Sequence, residues 1–141
     1  MSLPKLLGEN ILIAGGYLLL CLNAMQLTLL PGHSAPIWPA AGFGIAMALL
    51  LGNRVWIGIF LGATASFILR PELNVSIMTS ILFGALATVH ALLGAKLIDW
   101  SSRSRFPFGT LREVLSFVFY GAFLSTFLMA SVDFLLLRPL S

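Results

Sequence analysis

The long apolar runs of this 141-residue sequence decide what it can fold into. They cover residues 9–30, 75–98 and 110–137. At about 1.5 Å of rise per residue, a helix made from any of them crosses a hydrocarbon core of about 30 Å, which takes roughly 20 apolar residues. Two shorter apolar runs, 37–52 and 54–69, lie between the first two and meet at Gly52-Asn53-Arg54. Hydrophobic residues make up 59% of the chain and charged residues only 9%, with a mean hydropathy of +1.01. A soluble domain is nearer half apolar and a quarter charged. The expectation is an all-α integral membrane protein, a polytopic bundle of about five transmembrane helices of which two are short. It forms a single membrane domain over residues 1–141, with spans near 9–30, 37–52, 54–69, 75–98 and 110–137.

The net charge of +3 and the pI of about 9.6 do not point to nucleic acid, because no basic patch is interleaved with exposed aromatics. The excess positive charge reads as topology. Under a five-span count Lys5, Arg54, Lys96, Arg103, Arg105 and Arg112 fall on one side, and Arg70 and Arg138 on the other. By the positive-inside rule the N-terminus is cytoplasmic, in a bacterial inner membrane. A re-entrant hairpin made of the two short runs is the competing arrangement, and it would move Arg54 across. Lys5 before an apolar run also resembles a signal peptide, but no small-x-small cleavage site follows, and Leu20 is too large to precede a lipoprotein Cys21. A retained first helix is expected, and Cys21 inside it has no intramolecular disulfide partner.

The connections have local signatures. Pro31-Gly32 ends the first run, and Pro39 suits the first turn of the second helix, where its missing N–H costs nothing. Arg70-Pro71-Glu72 closes the third run. Thr110 with Glu113 three residues on has the spacing of a capping box at the start of the last helix. No internal repeat, low-complexity tract or linker to another domain is evident.

Small residues recur four apart: Ala40, Gly44, Ala48 and Gly52; Gly58, Gly62 and Ser66; Ala87, Ala91 and Ala95. With Gly42 and Gly84, such faces let helices approach closely where lipid removes the hydrophobic drive. Intrachain packing is the plain reading, and a dimer built on Gly58-x-x-x-Gly62 the sharper one.

Polar groups at membrane depth are the candidates for function. His90 lies within the fourth run. No Cys, Asp, Glu or second His sits three or four residues from it, so no metal site is expected. A ligand or proton-sensing role stands against a neutral His hydrogen-bonded to a neighbouring helix. Asp133, near the end of the last helix, either pairs with Arg138 or Arg70 or lines an outward pocket. Asn23 and Gln26 share a face of the first helix, with interhelical hydrogen bonding as the default. Trp56 and Trp100 read as interfacial anchors; Trp38, held between Pro36 and Pro39, reads equally as an anchor or as the mouth of a pocket. The candidate pocket is therefore Trp38, Pro39, His90, Asp133, Asn23 and Gln26.

Enzyme chemistry finds no foothold: there is no metal motif, no intramembrane carboxylate pair, no nucleophile with a base and no phosphate-cradling loop. Gly42-Phe43-Gly44 lacks the preceding strand and third glycine of a dinucleotide site. No cofactor is expected.

The run Ile37-Trp38-Pro39-Ala40-Ala41-Gly42, followed by Arg54, Trp56 and the segment Gly58-Ile59-Phe60-Leu61-Gly62-Ala63, resembles the bacterial membrane-associated sensor family of the first class (MASE). Residues 84–94 and 106–115 look like that family's next helix and the loop after it. The resemblance covers about residues 10–137 and corresponds to the N-terminal half of a family domain. At Thr88-Val89-His90 the family often carries Asn followed by an acidic residue. The resemblance implies a signal-input module that biases an attached or associated cytoplasmic output domain, itself absent from this sequence, within a homodimer or larger complex. An accessory subunit packed in a membrane complex, or a small-molecule carrier component built from broken helices, are the competing readings.

Overall fold

The computed structural model describes residues 2–26, 39–71, 74–101 and 109–124, together with Phe127 and Ser131. Every regular element among them is helical: α1 Leu3–Gln26, α2 Pro39–Leu51, a 3₁₀ turn Asn53–Val55, α3 Trp56–Ile68, α4 Ile77–Ser101, α5 Leu111–Ser116 and a π-helix Phe117–Leu124. Two helices, α1 through Ala24 and α4, are long and apolar enough to cross a membrane. At 24 and 25 residues they run about 36–38 Å, whereas α2 and α3, at 13 residues each, reach only about 20 Å.

Several boundaries differ from the sequence expectation. α1 begins at Leu3 rather than near residue 9, because Pro4 and Lys5 are tolerated in a first turn whose N–H groups need no intrahelical acceptor. The last run is not one α-helix: it changes from α5 to a π-helix at Phe117. Its start is fixed by a complete capping box, with Thr110 Oγ1 accepting from Glu113 N–H at 3.3 Å and Glu113 Oε2 accepting from Thr110 N–H at 3.0 Å. The same carboxylate oxygen also accepts from Gly109 N–H at 3.0 Å.

The direction of each helix follows from which residues meet. Along α1, Asn10 lies by Gly58, Ala14 and Tyr17 by Gly62, and Cys21 by Ser66, so α1 and α3 run parallel. The ring of Phe43 lies over Gly16, and α2 then leads back to the turn beside Asn10, antiparallel to both. α4 descends along α3, with Phe83 stacked on Phe67 at a centroid distance of 4.5 Å and Gly84 against Phe60 and Thr64. The four helices alternate in direction. Lys5, Arg54 and Lys96 therefore lie toward one end of the bundle and Arg70 toward the other.

The core is a seam of small and medium side chains: Ile13, Tyr17, Cys21, Ala40, Ala48, Val55, Ile59, Ala63, Ala91 and Ala95. Gly58 and Gly62 set its tightest contact. A Cβ at Gly58 would stand 2.7 Å from the Asn10 carbonyl oxygen, and one at Gly62 2.7 Å from that of Ala14. That face packs against α1 of the same chain. Gly44 fits between Ala91 and Tyr17 in the same way, and Gly84 accommodates the Thr64 hydroxyl, whereas nothing lies within 4 Å of Gly42. The long helices α1 and α4 cover one side of each short helix. Their other sides stay open, with Leu50 of α2 and Leu61 and Ile68 of α3 exposed.

Candidate functional site

The most polar interior point of the bundle lies where the α2–α3 turn meets the first turns of α1. The turn is made by Gly52, whose φ of 79° favours a residue without a side chain, followed by the 3₁₀ residues Asn53–Val55. α3 starts behind it without a side-chain cap of its own, since its N-cap position is Val55. A helix start leaves N–H groups without intrahelical acceptors, and buried ones need a partner. Asn10 of α1 supplies it: its Oδ1 accepts from Gly58 N–H at 2.8 Å, in a fully buried bond between residues 48 apart in sequence. Its Nδ2 donates to the Arg54 carbonyl at 3.2 Å and to the Leu6 carbonyl at 3.0 Å.

Asn10, itself only 6% exposed, thus joins α1, the turn and α3 with one amide group. Beside it Glu9 Oε2 and Arg54 Nε form an ion pair at 3.3 Å, with the Arg54 side chain 38% exposed. A partly solvated pair of this kind contributes about 1 kcal/mol or less. The close backbone approach that Gly58 permits is what brings the Asn10 amide within reach.

A second set of polar groups lines the interior further along. Ser66 Oγ donates to the Ala63 carbonyl at 2.7 Å and its side chain also hydrogen-bonds the Cys21 thiol. Thr88 Oγ1 donates to the Gly84 carbonyl at 2.8 Å, and Ser80 Oγ to that of Ser76 at 3.1 Å. Ser80, Thr88 and His90 are buried, as is Thr64, whose hydroxyl makes no hydrogen bond among the described residues. Hydroxyls that bond back to their own helix can be buried in an apolar bundle because they leave little unpaired.

The candidate residues named from sequence fall in different places. His90 is buried on α4, one residue before the Ala91 that packs on Gly44, hence at mid-height of the bundle. Asn23 and Gln26 are exposed on α1, and the Asn23 amide donates to the Leu19 carbonyl of its own helix at 2.7 Å rather than to another helix. Pro39 is exposed at the first position of α2. The inward His90 and the outward Asn23, Gln26 and Pro39 therefore do not share one wall. Trp38, Asp133, Arg103 and Arg105 lie outside the described residues. Lys96 is exposed and Arg54 half-buried, and Trp56 and Trp100 are exposed near the end of the bundle that carries them. No cluster of three His, Cys, Asp or Glu side chains capable of holding a metal occurs among the described residues.

Asn10 and Glu9 were not singled out from sequence. The signal available was an adjacent polar pair a few residues inside an apolar helix, with one compact basic turn elsewhere in the chain to receive it.

The outward faces complete the picture. Leu7, Ile11, Leu12 and Leu19 on α1, Ile57, Leu61 and Ile68 on α3, and Met78, Ile81 and Val89 on α4 are each more than a third exposed. Apolar surface on this scale is rare on a soluble monomer.

The MASE1 family model matches residues 10–138. No curated protein and no solved structure matches the chain.

Proposed function

The chain belongs to the MASE1 family of membrane-associated sensory domains, and on that premise we propose that it is a multi-pass signal-input module of a bacterial cytoplasmic membrane. A change in ligand or membrane state biases its helix packing, and an attached or associated cytoplasmic output protein reads the bias. The observation that carries this reading is the family match over residues 10–138. The apolar outward faces support it, since hydrocarbon is the solvent they suit.

The topology belongs to the proposal. With the helices alternating in direction, Lys5, Arg54 and Lys96 occupy the cytoplasmic end and Arg70 the outer end, which puts the N-terminus in the cytoplasm. The Asn10–Gly58 bond places the α2–α3 turn level with the second turn of α1, far beyond the middle of that helix. This supports two short full crossings through a locally thinned bilayer over a re-entrant hairpin. The apolar run 110–137 is the candidate for a fifth crossing.

Within this module His90 is the interior polar group best placed to feel a change in packing, because it sits where α4 meets α2 at mid-height. Asn23, Gln26 and Pro39 are each exposed, away from it. The module is not catalytic; its work is a shift between helix arrangements, driven by whatever binds one of them better.

The test is an exchange. In the full-length gene product, in its own membrane, the output of the associated protein is recorded across candidate stimuli before and after this domain is replaced by an unrelated five-span bundle. Loss of stimulus dependence with expression maintained is expected. An unchanged response after the exchange would remove the sensory role. Cysteines at Asn53 and Asn74 should label with impermeant maleimide from opposite sides, and labelling from the same side would overturn the two crossings.

A further inference from the structure

An eight-residue π-helix, Phe117–Leu124, interrupts the last helix. A helix bonded i→i+5 accommodates one more residue than the α form over the same path, with poorer geometry. Such segments are rare, usually a single turn long, and concentrated at functional positions. Here the segment follows directly on α5, whose start is defined by the Thr110–Glu113 capping box and by the extra Gly109 N–H held on Glu113. It packs on α4 and touches α2. Val118, Phe119 and Phe123 are half or more exposed, so much of its surface faces outward rather than into the core. Gly121 lies inside it, a residue that lowers the preference for α-helix over other backbone states.

We propose that Phe117–Leu124 is a register switch: relaxation from π to α, beyond the capped start of α5, turns Phe127 and Ser131 by one residue relative to α4. One residue is about 100° of rotation and about 1.5 Å of rise. Phe127, helical and 64% exposed, lies one turn beyond and would report the rotation. The purpose of the switch rests on the sensory reading above, in which the last helix carries the change onward; the switch itself is a property of the backbone and is tested without any output.

The experiment places spin labels at Val89, exposed on α4, and at Phe127, in the full chain carrying Cys21→Ser and reconstituted in phospholipid nanodiscs. Two distance populations are expected between them. Deleting Val118 removes the extra residue while preserving the downstream phase of the π form, so one population should vanish. Gly121→Ala favours α-helix and should shift the wild-type ratio several-fold toward the population that the deletion lacks. A single wild-type population, or a ratio unmoved by Gly121→Ala, overturns the switch. If the deletion does not fold, Gly121→Ala decides alone. A failed switch leaves the sensory reading intact, because no output is measured, and a failed domain exchange leaves the distance result intact.

Discussion

Replacing Asn10 with Ala removes the one side-chain cap that α3 receives among the described residues. The cost follows from its three bonds. The Leu6 carbonyl lies within α1, where the helix ladder serves it, so that bond contributes little. The Arg54 carbonyl loses one partner, worth roughly 0.5–1.5 kcal/mol. The Gly58 N–H lies in the first turn of α3 and is buried; leaving it unpaired costs roughly 1–3 kcal/mol. The expected loss is therefore about 2–4 kcal/mol, a large part of the roughly 5–15 kcal/mol that holds a typical domain together. Asn10→Asp retains an acceptor for Gly58 N–H, but it sets a second carboxylate oxygen against the Leu6 and Arg54 carbonyls that Nδ2 served and buries a charge, so it should not recover the loss of Asn10→Ala at neutral pH. Equilibrium unfolding in detergent micelles measures the loss, and amide exchange at Gly58 measures the local opening. If Asn10→Ala stays within about 0.5 kcal/mol of wild type and Gly58 stays as protected, the cross-helix cap is not an energetic element and the argument fails.

Other outcomes follow from the same geometry. Gly62→Ala drives a Cβ against the Ala14 carbonyl and should destabilise by about 1–3 kcal/mol, whereas Gly42→Ala, with open space around it, should be neutral or stabilise by up to about 1 kcal/mol; equal effects in thermal melts would refute the packing seam. Gly84→Ala meets the Thr64 hydroxyl, so Thr64→Ala should recover part of the loss in a double-mutant cycle, and strict additivity would count against that contact. Glu9→Gln should cost no more than about 1 kcal/mol, and the cost should shrink in high salt; a cost unchanged by salt would mean that the ion pair is not its source. With two helices of 13 residues, the protein should melt higher in nanodiscs of C14 than of C18 phosphatidylcholine, and the reverse order would refute local thinning.

What could be read in advance was whatever depends on near neighbours. The capping box at Thr110 and Glu113 is a three-residue pattern, and it is present as drawn. The shortness of α2 and α3 follows from the turn residues that bound them. The small residues at Gly44, Gly58, Gly62 and Gly84 marked close approach, although their spacing did not say which helix approaches. Asn10 was opaque for the opposite reason: its acceptor and donor partners lie 44 and 48 residues away, and no local pattern records a cap delivered from another helix. The π-helix was hidden because Phe117–Leu124 is apolar on every side, so no periodic contrast betrays a change of pitch. Asn23 shows the limit of shared-face reasoning. Its spacing from Gln26 was right for a common face, but the amide found an acceptor one turn back in its own helix.

The cap that α3 borrows from Asn10 also orders the assembly of the bundle. On the proposed multi-pass topology, with the helices inserted in chain order, α3 would reach the membrane with the polar start of its backbone unprovided for, the group that satisfies it having entered 48 residues earlier. α1 must still be close to the insertion site when α3 arrives, and α2 must already have turned back, since only then do Asn10 and Gly58 meet. A shortened version of the chain that begins after Asn10 would therefore retain every residue of α3 and still insert it poorly.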